Sequence, residues 1–253
     1  MKVDKAIKAT FNTNLIILNG FLVALLVGTI LLMLPVSSAS GNGTDFITAL
    51  FTATTSLCVT GLVVVPTYAY WSIFGKVIIL ILIQLGGLGI ISFTIGFLII
   101  IGKKISLKER KMIQESYNLD SAQGVLKILR KIFGITVKIE GIGAILYSIQ
   151  FIPEYGIVKG ICYSVFHSVS AFCNAGIDII GNDSLVKYHG NVLVNFTTVM
   201  LIICGGIGFI VWLDIGGIIS EIRNKKLSPN KFIERMKLHT KLVLITTAIL
   251  VGG

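Results

Sequence analysis

The chain has 253 residues, of which 54% are hydrophobic and only 13% charged, and its mean hydropathy is +0.89. Soluble domains carry roughly 25% charged residues, so the composition excludes an ordinary water-soluble globule and points to a membrane protein. The net charge of +10 is not a nucleic-acid footprint, because the lysines and arginines gather between apolar runs, where they mark topology.

In chain order, Lys2, Lys5 and Lys8 precede an apolar run from Leu15 to Val36. The run is too long for the 7–15-residue core of a signal peptide, although Ser37 to Ser40 are small enough to imitate a cleavage site. Further predominantly apolar runs extend from Ile73 to Gly102, broken by Lys76, from Gly134 to Ile152, and from Asn191 to Ile219 around the acid Asp214. Each reaches the roughly 20 residues a helix needs to cross the hydrocarbon core. A last run, Leu242 to Gly253, covers about 12 residues and reads as the beginning of another membrane helix.

Basic residues collect before the first run, from Lys103 to Lys138, and from Arg223 to Lys241; Lys76, Lys159 and Lys187 fall on the other side. That bias puts the N-terminus and both basic loops in the cytoplasm. The cysteines, Cys58, Cys162, Cys173 and Cys204, stand in apolar surroundings without CxxC or His/Cys spacing. They read as buried free thiols, with no transition-metal site.

An internal repeat organises the chain. "LFTATTSLCVTGL" from Leu50 aligns with "VFHSVSAFCNAGI" from Val165, pairing Thr55 with Ser170, Cys58 with Cys173 and Gly61 with Gly176. "QLGGLGI" from Gln84 then matches "ICGGIGF" from Ile203. The first unit spans 1–102, with a helix over 15–36, a pore helix over 44–56, a filter strand over 57–65 and a helix over 72–102. The second spans 134–220, with a helix over 134–153, a pore helix over 157–171, a filter over 172–178 and a helix over 191–219. Linkers occupy 103–133 and 221–241, and 242–253 reads as the opening of a third unit.

The short helix is the informative part. Roughly 12 residues at 1.5 Å each cover about 18 Å, half a membrane, so the chain must enter and return. Non-helical backbone at that depth is tolerated only where it is buried in protein or lines a water-filled cavity. The C-terminal end of such a half-helix favours a cation, and a following strand that turns its carbonyls inward can replace a cation's water shell. Glycine at Gly61 and Gly176 permits a positive φ and close backbone approach.

At these residues the chain resembles the Trk/Ktr/HKT superfamily of potassium transporters, and most nearly the membrane (B) subunit of bacterial Ktr systems. The resemblance implies an all-α membrane protein in which helix, pore-helix, filter-strand and helix units surround a pseudo-fourfold pore, about two of the four repeats being present here. It implies a potassium filter made of Cys58, Val59, Thr60 and Gly61 in one repeat and Cys173, Asn174, Ala175 and Gly176 in the next. Potassium, with sodium a candidate companion, is then the transported ion, and no cofactor resides in the chain. The implied partners are the lipid bilayer, a second full-length membrane subunit in a homodimer, and a cytosolic regulatory ring that binds adenine nucleotides. Neither enzyme activity nor nucleic-acid binding is expected.

Asp178, just after the second filter, is placed to enrich cations at the outer mouth. In the linker, Ser106 with Glu109 and Asp120 with Gln123 are helix-start signals. The stretch "VLKILRKIF" carries Lys127, Arg130 and Lys131 among apolar positions, which suits an interfacial helix on anionic lipid or docking of the regulatory ring. Ser228-Pro229 starts a helix leading to the next span. Asp214 is a functional candidate by virtue of its membrane run, with an interfacial position favoured by the basic loop that follows. His167, opposite Thr52 in the repeat, reads first as a packed histidine. Two other functions compete: an intramembrane enzyme, which would require His167, Asp214 and the cysteines to converge, and a non-transporting half-pore that assembles with or inhibits a complete subunit.

Overall fold

The computed structural model describes residues 2–89, 125–181, 184–224 and 228–252, the side chains of 2–17, 125, 126 and 229 excepted. Helix α1 (Lys2–Met33) stops where Leu34 turns extended ahead of Pro35, as residues before proline do. A 3-10 turn, Pro35–Ser37, follows, and the Ser37 hydroxyl donates to the Leu31 carbonyl at 2.5 Å. Helix α2 (Phe46–Leu57) starts at Asp45, whose carboxylate accepts from the Thr48 N–H at 2.9 Å. That bond holds the Asp45 carboxyl below its ordinary pKa.

Residues 58–66 are non-helical, and the short α3 (Thr67–Tyr70) leads into α4 (Ile73–Leu88). The start of α4 is stitched to the turn that follows α1. The Ser72 N–H donates to the Ser37 carbonyl at 2.9 Å and its hydroxyl to the Val36 carbonyl at 2.6 Å. Helix α2 lies between α1 and α4, with Ala49, Ala53 and Leu57 buried.

The second unit repeats the plan. Helix α5 (Val125–Tyr155) reverses at Gly156, φ +81°, into α6 (Ile157–Phe172). The two helices approach closely at Gly160, where a Cβ would fall 2.6 Å from the Ile152 Cα. Tyr147 and Phe151 of α5 stack at 5.4 Å and both abut the His167 ring of α6. A 3-10 turn, Ser184–Tyr188, is pinned by Lys187, which pairs with Glu154, a contact that raises the Lys187 pKa. Asn191 then caps α7 (Val192–Gly206), accepting from the Val194 N–H at 3.1 Å.

Three expectations need correction. The run 191–219 is not one helix: α7 and α8 (Phe209–Arg223) meet at a bend of 94°. The cause is Gly208 at φ +84°, a conformation that leaves the helical region and that glycine tolerates. Its counterpart Gly89 has φ +78° and ends α4 at Leu88; 90–102, the rest of the helix expected over 72–102, lie outside the described residues. Secondly, the segments expected as filter strands are irregular backbone, with no β-ladder through them among the described residues. Thirdly, α5 already begins at Val125, so Lys127, Arg130 and Lys131 stand in its first turns and not in a separate linker helix ending at 133. Gly134 does not break α5, since a lone glycine in a helix costs only about 1 kcal/mol. The starts expected at Ser106 and Asp120 lie outside the described residues.

Beyond α8, a 3-10 turn (Pro229–Lys231), α9 (Phe232–Arg235) and α10 (Leu238–Gly252) follow. Among the described residues, Lys127–Tyr155 of α5 is long and apolar enough to cross a membrane, and the bent pair α7–α8 passes the same test jointly. Helices α2, α4, α6 and α10 are apolar but shorter.

Candidate functional site

The segments after α2 and α6 have the same backbone, residue for residue. Cys58 and Cys173 close their helices in the right-handed region, and their N–H groups donate to Thr54 and Val169 at 2.8 and 2.9 Å. Val59 and Asn174 then turn left-handed, φ +57° and +59°, which non-glycine residues rarely do. Thr60 and Ala175 donate their N–H groups back to Thr55 and Ser170 at 3.0 and 2.8 Å. Gly61 and Gly176 are again left-handed, φ +76° and +67°.

Pore-helix hydroxyls fix both segments, but differently. The Thr55 Oγ1 lies 2.6 Å from the Thr60 Oγ1 and accepts the Leu62 N–H at 2.9 Å. The Ser170 hydroxyl donates to the Ile177 carbonyl at 2.6 Å. These are the residues that the internal alignment pairs, so their likeness in sequence marks a shared duty that only the fold makes visible.

The segments also meet. A Cβ on Gly61 would stand 2.6 Å from the Ala175 carbonyl oxygen. The GGxG motifs supply the supporting wall. A Cβ on Gly86 would lie 2.0 Å from the Leu57 carbonyl oxygen, and one on Gly205 would lie 1.7 Å from that of Phe172. Helices α4 and α7 thus rest directly on the last carbonyls of α2 and α6. Gly87 faces the neighbouring repeat, a Cβ there falling 2.4 Å from the Cys173 Sγ, whereas Gly206 has nothing within 4 Å.

One charged residue escapes the sequence pattern. Glu140, within the run that reads as apolar, accepts from the Gln84 Nε2 at 2.9 Å, and the Ser168 hydroxyl donates to its backbone carbonyl at 2.6 Å. The Cys173 thiol lies 3.8 Å from the Gln84 Oε1, so Gln84 of repeat one joins both α5, at Glu140, and the second segment, at Cys173. The signal for it exists, because an ionisable residue inside a membrane run is a functional candidate. Lys138, expected in the loop, also lies within α5, exposed.

His167 is buried. Its Nδ1 lies 2.7 Å from the Tyr163 carbonyl, and its Nε2 has no hydrogen-bond partner among the described residues. It borders a cavity of about 180 Å³ that also touches Ser170, Asn174, Gly176 and Asp178. Asp178 is half-buried there, accepting from the Ile180 N–H at 3.4 Å. Asp214 has a structural duty: it accepts from the Lys237 N–H at 3.0 Å and the Thr240 hydroxyl at 2.7 Å, tying α8 to the start of α10. His167 and Asp214 therefore do not converge. Of the cysteines expected buried, Cys173 is, Cys204 is half-buried, and Cys58 and Cys162 are exposed. Among the described residues, no group of three His, Cys, Asp or Glu side chains is placed to hold a metal.

Lys127, Arg130 and Lys131 are exposed. Lys131 borders a cleft of about 530 Å³ with Asp214, Glu221, Arg235 and Lys237, and Glu221 and Arg235 pair at 3.4 Å.

Residues 2–253 match the TrkH family model, described as cation transport protein. The chain belongs to the TrkH family. It is 43% identical over 251 residues to the potassium/sodium uptake protein NtpJ of Enterococcus hirae, covering 99% of this chain and 53% of that protein. It is 38% identical, with the same coverage, to the Ktr system potassium uptake protein B of Bacillus subtilis. To the protein of the same name from Vibrio alginolyticus it is 37% identical over 236 residues, 93% of this chain and 49% of that one. The chain thus spans about half the length of these relatives. Membership of this family makes it an all-helical membrane protein of the cation-transport class.

Proposed function

We propose that the chain provides two repeat units of a potassium uptake pore, and that the Cys58–Gly61 and Cys173–Gly176 segments are two of the filter segments around the ion. The observation that carries this reading is the identical left-handed pattern at Val59/Gly61 and Asn174/Gly176, in segments that touch where Gly61 meets the Ala175 carbonyl. Alternating backbone of this kind leaves carbonyls free of a helix or sheet, available to take the place of water around a dehydrated cation. The C-terminal ends of α2 and α6 add negative potential at the same place. Two segments surround an ion only in part, so transport belongs to an assembly holding four.

The N-terminus and the basic loops face the cytoplasm in this reading. The exposed cations Lys127, Arg130 and Lys131 form the surface on which a cytosolic regulatory partner docks, a reading supported by the Ktr system names of the relatives. Sodium is a candidate second ion, since NtpJ is named for both.

The test is Gly61→Ser in the complete four-repeat transporter. Growth on limiting potassium should weaken and discrimination against sodium should fall, because a Cβ at φ +76° is strained and collides with the Ala175 carbonyl. Unchanged potassium affinity and sodium discrimination would show that this segment is not the filter.

A further inference from the structure

A cleft of about 650 Å³ lies at the seam of the two repeats, between α3–α4 and α6. Its wall along the helices is apolar, with Val77 and Leu80 from α4 and Val165 and Phe166 from α6. Lys76 and Lys159 stand at the first turns of α4 and α6, at one end of that wall. No carboxylate borders the cleft among the described residues. Lys76 donates one of its three protons to the Tyr68 carbonyl at 2.7 Å and lies 5.3 Å from the Tyr68 ring centre. Lys159 is exposed and has no ion pair among the described residues.

These two lysines are unusual on charge grounds. Of the chain's lysines and arginines, only Lys76, Lys159 and Lys187 fall on the side opposite the basic loops, and Lys187 is neutralised by Glu154. The remaining two border the same cleft. An anion joined to a long apolar body matches the rest of the wall, and a phospholipid with a charged head group and acyl chains is such a molecule.

We propose that this cleft binds an anionic phospholipid, with its phosphate at Lys76 and Lys159 and an acyl chain along Val77, Leu80 and Val165. Ile179, in the loop after the second filter segment, also borders the cleft, so the lipid fills the seam beside the place where the repeats meet. The assignment to the outer leaflet rests on the orientation proposed above; the binding itself does not.

The complete transporter, delipidated in detergent, is titrated with phosphatidylglycerol and separately with phosphatidylcholine of the same acyl chains, and bound lipid is counted by native mass spectrometry. Phosphatidylglycerol should be held roughly tenfold more tightly, as two uncompensated lysines imply. The Lys76→Gln/Lys159→Gln double variant should lose that preference without a change in melting temperature, and Lys187→Gln should keep it. A second variant, Val77→Trp, leaves both lysines and obstructs the acyl bed, and should reduce phosphatidylglycerol retention. Equal retention of both lipids by the unaltered protein would overturn the proposal. So would a preference that survives the double variant, or full retention in Val77→Trp.

Discussion

The two repeats build the same backbone with different side chains. In the first, Thr55 secures the segment through the Thr60 hydroxyl and the Leu62 N–H; in the second, Ser170 reaches the Ile177 carbonyl, and Ala175 stands where Thr60 does. The buried Thr52 of α2 becomes the buried His167 of α6. What recurs is the sign of φ at two positions and the absence of a side chain on the supporting helix. The demand is therefore on main-chain geometry, as it must be if carbonyls are the ligands, while side chains need only hold that geometry from behind.

The sharpest way to break the likeness is to fill the wall. Gly205→Ala puts a Cβ 1.7 Å from the Phe172 carbonyl oxygen, and Gly86→Ala one 2.0 Å from that of Leu57. Backbone must move in either case, at a cost of about 3 kcal/mol or more. Yield and melting temperature of the purified transporter measure the effect; unchanged values in Gly205→Ala and Gly86→Ala would refute the close-packed wall.

A smaller effect is expected at the candidate filter glycines. Both are left-handed, so Gly61→Ser and Gly176→Ser each bear conformational strain of order 1 kcal/mol, and Gly61→Ser also meets the Ala175 carbonyl. Potassium-over-sodium discrimination should fall in both, as competition uptake assays would record; unchanged discrimination in Gly176→Ser would take the second segment out of the filter.

Next come the hydroxyls. Thr55→Val leaves the Leu62 N–H and the Thr60 hydroxyl without their partner, whereas Ser170→Ala frees only the Ile177 carbonyl. Thr60 and Leu62 are exposed, whereas the Ser170–Ile177 bond is buried and its loss costs about 1–3 kcal/mol, so Ser170→Ala should lower the melting temperature at least as much as Thr55→Val, although it breaks one bond against two. The smallest effect is at the 3-10 turn Ser184–Tyr188. Lys187→Gln removes an ion pair whose side chains are 47% and 31% exposed, which solvent screening limits to about 1 kcal/mol; a larger loss would give this turn a part in holding the second segment.

The repeated irregular segments after α2 and α6 are legible in the sequence because a glycine recurs in register after a helix too short to cross a membrane. The bend at Gly208 is hidden, since apolar runs report composition and not φ, and Leu88–Gly89 and Ile207–Gly208 are as greasy as their neighbours. Glu140 is lost for the same reason, averaged away within its run. Asp214 stands out as the acid in its run, but its partners, Lys237 and Thr240, lie on another element, beyond what local pattern can reach. The pairing of Thr55 with Ser170 is visible as likeness only, because their partners at Thr60, Leu62 and Ile177 belong to a fold and not to a motif.

The central claim is that an ion sits among the backbone carbonyls of Cys58–Gly61 and Cys173–Gly176. Anomalous diffraction from crystals of the complete transporter soaked in thallium(I), a stand-in for potassium, tests it most directly. An ion so placed gives a peak in contact with carbonyl oxygens of both segments, lost when thallium is replaced by excess potassium. Thallium ordered elsewhere along the pore, with no peak between these two segments, would contradict the claim.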